Sequence, residues 1–161
     1  MRQWLLPLLC WLLPFCHGGY VRSAHVQGRL LCHGQPYAGE KVEIWANVFG
    51  PFDTLLDSMI TTPDGYFNLN GSYVETFNTS PTIYVYFVNY CEPAIEKESF
   101  VCGNTIKAFI PSEFITRGRI PTETFFLDEL EVTRVINSQF GIEKILYRWF
   151  DHKECRDGYT S

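Results

Sequence analysis

The chain has 161 residues, of which 46% are hydrophobic, 16% aromatic and 19% charged, and its formal charge is −5. This length allows one domain with a tail, and the hydrophobic fraction excludes wholesale disorder. Because the 13 basic residues are outnumbered by 18 acidic ones and form no basic stripe, the sequence argues against nucleic-acid binding.

The N-terminus has the features of a secretory signal peptide. Met1–Gln3 is positive and Trp4–Phe15 is uncharged and apolar, the order typical of such signals. The apolar stretch is shorter than the roughly 20 residues that a membrane span needs. Small residues suit cleavage after Gly18 or after Ser23. The sequence therefore predicts a signal peptide over residues 1–18, or up to 23, and a secreted protein; a buried helix or a short membrane anchor is the alternative.

Signal removal changes the cysteine count and the charge. Cys10 and Cys16 are lost, and four cysteines remain: Cys32, Cys91, Cys102 and Cys155. An even number in an exported chain predicts two disulfides, with three possible pairings. Cleavage after Ser23 also takes Arg2 and Arg22 from the 13 basic residues, while all 18 acidic residues remain, so the formal charge becomes −7.

Alternation of apolar and polar residues predicts a chain of short β-strands. These lie at Val26–Cys32, Lys41–Ala46, Leu55–Thr61, Tyr66–Leu69, Thr82–Val88, Ile106–Ile110, Thr124–Leu127 and Leu130–Ile136. Thr82–Val88 is apolar on both faces, which is typical of a central strand. Glu92–Ser99 is polar and predicts a helical turn. Eight strands with turn signals between them indicate an all-β antiparallel sandwich over residues 24–138.

The remaining residues, 139–161, form a predicted C-terminal tail. Ile142, Ile145, Leu146 and Trp149 have helical spacing, but the same stretch also alternates, so helix and strand both remain open. A tail packed on the sandwich is favoured over an amphipathic helix that binds a partner.

Several motifs in a fixed order resemble the nematode transthyretin-like proteins. They are Val26–Cys32 with Gly34–Pro36, Asp53–Asp57, Thr62–Gly71, and Ile110–Ile115 followed by Gly118 and Pro121. The resemblance runs from about residue 26 to residue 132 and implies the transthyretin fold, a Greek-key sandwich of two four-stranded sheets with a short helix after the fifth strand. Asn89-Tyr90-Cys91 departs from the His-Asp-Cys that members often carry there.

The implied fold also suggests a disulfide pairing. Its fifth and sixth strands are antiparallel neighbours, so Cys91 at the end of one is expected to bond Cys102 at the start of the other. Cys32 and Cys155 would then pair and tie the tail to the first strand. A metal site at Cys32-His33 and His152–Cys155 is disfavoured, because the usual Cys-x2-Cys or His-x3-His spacing is missing.

The transthyretin fold also hosts an enzyme, 5-hydroxyisourate hydrolase, and its motifs are absent here. That enzyme uses a histidine on the first strand, an arginine after the Asp-Gly turn and a terminal Tyr-Arg-Gly-Ser. His25 lies two residues too far from the Gly34 turn, Tyr66 occupies the arginine position, and the chain ends differently. We therefore expect no enzymatic activity, no metal and no cofactor.

Two sequons predict N-glycosylation. Asn70-Gly71-Ser72 and Asn78-Thr79-Ser80 fall between predicted strands, where a glycan would be solvated. Pro81 after the second is expected to reduce its use.

Function follows from the resemblance, which implies an extracellular family acting in cell-surface recognition and signalling, including bridging of exposed phosphatidylserine to phagocyte receptors. We expect a secreted binding protein whose partner is an extracellular receptor or a lipid or hydrophobic ligand. The expected contact loop contains Phe114, Ile115, Arg117 and Arg119, although the acidic charge opposes general attraction to anionic membranes. A carrier for a small hydrophobic ligand and, less favoured, the hydrolase are the alternatives.

Overall fold

The computed structural model describes residues 20–47, 53–75, 81–93, 95–97, 99–133 and 153–157. Within them the strands are β1 (Val21–Cys32), β2 (Gln35–Pro36), β3 (Lys41–Asn47), β4 (Asp53–Ile60), β5 (Tyr66–Val74), β6 (Thr82–Asn89), β7 (Ile95–Lys97), β8 (Phe100–Phe109), β9 (Thr116–Arg117), β10 (Thr124–Glu131) and β11 (Lys153–Asp157). A 3₁₀ turn at Ser112–Phe114 precedes β9. None of the helical segments in this part of the chain is long and apolar enough to cross a membrane.

The first sheet is built around the long strand β1. β1 pairs antiparallel with β2, β5 and β9, and parallel with β10, so the sandwich is not antiparallel throughout. Gln27–Arg29 on β1 faces Phe126–Glu129 on β10, which contains one more residue. Asp128 in this bulge has a φ of 47°. The bulge lets one strand continue through a sequence that predicts two strands separated by Asp128-Glu129.

The second sheet has the order β11-β8-β6-β3-β4, with β7 also paired to β8, and all its pairs are antiparallel. The prediction that Thr82–Val88 is a central strand is confirmed, because β6 lies between β3 and β8. The prediction of a helical turn in Glu92–Ser99 is wrong. Ile95–Lys97 pairs instead with Phe100–Cys102, and its three residues are exposed at the sheet, which accounts for the polar composition.

The inward faces of the two sheets form one hydrophobic core, which confirms the β-sandwich. Alternate residues of β1, β3, β5, β6 and β8 supply it, and its largest fully buried members are Phe87, Leu30, Ile44, Leu69, Ile83 and Ile106. Removing such side chains from water is the main favourable contribution to folding, about 1.5–3 kcal/mol for each one.

Two disulfides join the elements, but the expected pairing is wrong. The bonds are Cys32–Cys91, with 5.8 Å between the Cα atoms, and Cys102–Cys155, with 4.0 Å. The position of β7 explains the difference. Ile95 of β7, and not Cys91, lies opposite Cys102 on one side of β8, and Cys155 of β11 lies opposite Cys102 on the other side. Cys91 instead meets Cys32 at the end of β1.

The tail therefore returns to the sandwich as a strand at β11. The helical hypothesis for Ile142 to Trp149 lies outside the described residues, as does the predicted signal peptide over residues 1–18.

Candidate functional site

The expected contact loop turns its apolar side chains toward the protein. The ring of Phe114 lies 5.1 Å from that of Phe125, and Ile115 also packs partly buried against the core. Arg117 and Arg119 are exposed. The apolar side chain that this loop presents to solvent is Ile120, which is 80% exposed and which the sequence did not single out.

The two sequons have different outcomes. Asn70 lies within β5, opposite His25 of β1, and not in a loop as expected. The strand continues because Gly71 leaves room for Leu56, which a Cβ at that position would approach to 2.4 Å. The side chain of Asn70 is nevertheless exposed. Asn78 lies outside the described residues.

His25 lies on the outer face of the first sheet with both ring nitrogens engaged. Nε2 is 2.7 Å from Oδ1 of Asn68, and Nδ1 is 2.7 Å from Oγ1 of Thr124. Because an amide oxygen only accepts, we assign the proton to Nε2, and Nδ1 then accepts from the Thr124 hydroxyl. Tyr66 lies on the same face with the Arg29 guanidinium 5.1 Å from its ring centroid.

Cys32, His33 and Cys91 also lie close together. Both cysteines belong to a disulfide, so neither supplies the thiolate that binds a metal.

The outer face of the second sheet contains a groove of about 610 Å³, which we call the open-face groove. It is lined by Glu43, Trp45, Asp53, Tyr84, Tyr86, Thr105, Lys107, Lys153 and Glu154. The solvent-facing side of an antiparallel sheet is ordinarily polar. Two signals in the sequence point to this face: Thr82–Val88 is apolar on both sides, and Trp45 alternates with buried residues of β3.

Strand register places the groove's aromatic residues side by side. Trp45 of β3 is directly opposite Tyr84 of β6, and Glu43 is opposite Tyr86. Tyr86 in turn is opposite Lys107 of β8. Opposite residues have Cβ atoms about 5 Å apart, so these side chains form two adjoining rows across the sheet.

A polar network around Asp53 covers the Tyr84 side chain. The Tyr84 hydroxyl donates to Asp53 Oδ2, and the Asn47 amide donates to Oδ1 at 2.5 Å. The ammonium of Lys107 lies 3.6 Å from the same carboxylate and 4.4 Å from the Tyr84 ring centroid. Tyr84 is therefore only 3% exposed, whereas Trp45 and Tyr86 remain partly exposed.

Both tyrosines of the groove are held in their neutral form. Burial raises the pKa of Tyr84, and its hydrogen bond to Asp53 raises it further. Burial likewise raises the pKa of Tyr86, whose hydroxyl donates to Glu154 at 2.9 Å. At physiological pH both hydroxyls are hydrogen-bond donors and carry no charge.

β11 forms one wall of the groove and is anchored by Arg156. The guanidinium donates from two nitrogens to the two carboxylate oxygens of Glu40, each at 3.2 Å, and lies 4.0 Å from the Tyr90 ring centroid. The Glu40 side chain is 9% exposed. A second cavity of about 220 Å³ lies between this anchor and the groove and shares Glu43, Tyr86 and Glu154 with it.

Comparisons with known proteins agree with this fold. The model of the transthyretin-like family matches residues 27–111. Transthyretin-like protein 46 of Caenorhabditis elegans is 32% identical over 71% of this chain and 62% of its own length. Transthyretin-like protein 33 of the same animal is 31% identical over 66% of this chain and 71% of its length. The chain thus spans less than two thirds of the first of these relatives. It belongs to the transthyretin-like family.

Proposed function

We propose that this protein is a secreted recognition protein and that the open-face groove is its contact surface. The observation that carries the proposal is the floor of the groove, where Trp45 and Tyr86 remain partly exposed on the solvent side of a sheet. Concave surfaces that combine aromatic side chains with a few placed polar groups are typical of binding sites. Aromatic residues also contribute a large share of the energy of such contacts.

Secretion is supported by the N-terminal sequence and by the two disulfides. Disulfides persist in oxidising compartments and are rare in the reducing cytosol. A chain with a signal-like N-terminus and all four remaining cysteines bonded suits the extracellular space.

The groove fits the alternative functions less well. It is open to solvent and has five charged residues in its lining, whereas a carrier of hydrophobic ligands needs an enclosed, mainly apolar cavity. For the hydrolase, Tyr66 replaces the expected arginine, and His25 is held between Thr124 and Asn68. We therefore propose binding without catalysis.

Binding of the labelled, secreted protein to fixed tissue of the source animal tests the contact surface. Trp45→Ala should reduce surface binding at least about tenfold, because it removes the largest ring of the groove floor. Phe126→Ala is the matched control, since Phe126 is an aromatic residue that is 61% exposed in β10 of the other sheet. Retained binding by Trp45→Ala, with normal far-ultraviolet circular dichroism, would contradict the proposal.

A further inference from the structure

We propose that the open-face groove binds a neutral oligosaccharide. This inference rests on the proposed function, because it names the chemistry of the ligand that the same groove receives.

Three of the five charges in the groove, those of Glu43, Asp53 and Lys107, are already paired within the protein. Asp53 lies between Lys107 and the Tyr84 hydroxyl. Glu43 pairs with Lys41 and accepts from the Trp45 indole at 2.8 Å. A strongly charged ligand would have to displace these ion-pair partners. It would also find no excess of opposite charge in the groove to attract it. A neutral ligand keeps the pairs intact and avoids the cost of desolvating a charge.

Two aromatic rings remain available for stacking. The Lys107 ammonium lies over the Tyr84 ring, while Trp45 and Tyr86 are both partly exposed in adjoining rows. The C–H groups on one face of a pyranose carry a small positive charge and pack favourably on the negative face of an aromatic ring. The floor of the groove therefore matches the less polar face of a sugar.

The walls of the groove provide both donors and acceptors. The Thr105 hydroxyl can do either, Lys153 donates, and the exposed carboxylate of Glu154 has lone pairs beyond the one that accepts from Tyr86. A sugar hydroxyl also donates and accepts, so it can form a hydrogen bond with any of these three side chains. A purely hydrophobic ligand would leave these polar groups desolvated and unpaired, at a cost that disfavours it.

The width of the groove suits more than one sugar ring. Its lining extends from β3 across β6 and β8 to β11, and three strand spacings are about 14 Å. The open side would let a longer chain continue past the groove, which favours an oligomer over a monosaccharide.

Titration of the secreted protein with cellotetraose and tetra-N-acetylchitotetraose, both neutral, followed by calorimetry and saturation-transfer NMR, tests the proposal. We expect at least one of them to bind with a Kd of roughly 100 µM. Tyr86→Phe keeps the ring and should retain binding, while Tyr86→Ala should weaken it about tenfold. Phe126→Ala should leave the Kd unchanged. Binding lost equally in Tyr86→Phe and Tyr86→Ala would contradict a stacking role.

Other occupants of the groove would give different results. Trp149→Phe leaves Trp45 as the only tryptophan outside the predicted signal peptide, and its emission should be quenched by acrylamide in the free protein. Full protection from acrylamide would mean that the chain itself or a second copy covers the groove, and light scattering would separate the two. Binding of oleate at Trp45 without saccharide binding would indicate a hydrophobic carrier. Either result would overturn the proposal.

The experiment also separates the two levels of inference. If neither saccharide binds while Trp45→Ala still abolishes tissue binding, the saccharide chemistry fails and the contact surface stands. If saccharides bind but Trp45→Ala leaves tissue binding intact, the groove has the proposed ligand chemistry and the recognition function requires another surface.

Discussion

Individual residues fix the turns on which the sheets depend, and Gly65 is the clearest case. Its φ is 78°, and a Cβ there would lie 2.4 Å from the Leu30 carbonyl oxygen. The Gly65 carbonyl also accepts from the Leu30 amide at 2.9 Å. The tight turn before β5 is thus held directly against β1 and requires a residue without a side chain.

Gly65→Ala should destabilise the protein more than Gly39→Ala. Both positions have a φ of 78°, but a Cβ at Gly39 would meet nothing within 4 Å. Gly39→Ala should cost about 1–2 kcal/mol, the penalty of the left-handed conformation. Gly65→Ala adds the clash with Leu30 and should cost at least about 3 kcal/mol. Urea unfolding of both variants measures the difference. Equal losses of unfolding free energy would show that the backbone around Gly65 moves away from Leu30 at no measurable cost.

Glu131 should make stability depend on pH in the acid range. Partial burial raises the pKa of Glu131, but hydrogen bonds from Gly34, Thr133 and His33 outweigh it and hold the pKa below its usual value of 4.5. A carboxylate with a lowered pKa stabilises the folded state above the unfolded-state pKa, and this contribution is lost as the pH falls through the folded-state pKa.

Glu131→Gln tests this dependence. The free energy of unfolding of the variant should fall below that of the native protein by a constant amount between about pH 7 and pH 5, and the difference should shrink below about pH 4. Urea unfolding across this range is the measurement. A difference that stays constant down to pH 3 would show that the charge of Glu131 is not what stabilises the turn.

At the scale of elements, local patterns predicted most strands but not their partners. Thr82–Val88 is apolar on both faces, which predicts a central strand, and β6 is central as expected. The disulfide pairing could not be predicted because it depends on which edge of β8 receives β7 and which receives β11. Nothing in the residues around Cys155 specifies that edge, since all five residues of β11 are exposed.

The candidate site shows the same limit. Phe114 and Arg117 are near in sequence, but the 3₁₀ turn points the ring at Phe125 and leaves the arginine in solvent. The open-face groove combines residues of β3, β4, β6, β8 and β11, which are far apart in the chain. Only the strand register brings Trp45, Tyr86 and Lys107 together, so sequence spacing alone could not reveal it.

The first residues of β1 bear on signal cleavage. Arg22 Nε donates to Glu75 at 2.7 Å, and the Glu75 side chain is 3% exposed. The Glu75 amide donates to the Tyr20 carbonyl, and the Gly118 amide to that of Val21. Cleavage after Ser23 would remove Tyr20, Val21 and Arg22. The buried carboxylate of Glu75 would then lack a cation, at a cost of about 3–5 kcal/mol.

We therefore predict cleavage close to Gly18. Intact mass and N-terminal sequencing of the secreted protein should show Tyr20–Arg22 retained. As a control on the physical reason, Arg22→Met should lower the free energy of unfolding by about 3 kcal/mol. A mature chain that begins at Ala24 and unfolds at the same urea concentration as a chain retaining Arg22 would contradict the prediction.

The whole molecule presents an acidic surface, which bears on lipid binding. Cleavage after Gly18 removes Arg2 alone from the 13 basic residues against 18 acidic ones, so the formal charge becomes −6. Such a charge opposes approach to an anionic leaflet. Phe114 and Ile115, the apolar residues of the expected contact loop, pack against the core.

The protein should therefore not float with vesicles in a manner that depends on phosphatidylserine. Flotation with phosphatidylcholine vesicles containing and lacking phosphatidylserine is the measurement, at an ionic strength near 0.15 M so that surface charges are screened as they are outside cells. Arg117→Glu with Arg119→Glu is the control. Phosphatidylserine-dependent flotation that this double variant abolishes would restore the loop as a lipid contact.

The bond between Cys102 and Cys155 gives the chain an unusual response to proteolysis. A protease that cuts anywhere between residues 133 and 153 divides the polypeptide in two, yet the disulfide keeps β11 covalently joined to β8. The five ladder pairs and the Arg156–Glu40 contacts also remain. A clipped molecule would keep the wall of the open-face groove and its apparent size without reductant, and only under reducing conditions would it separate into two fragments.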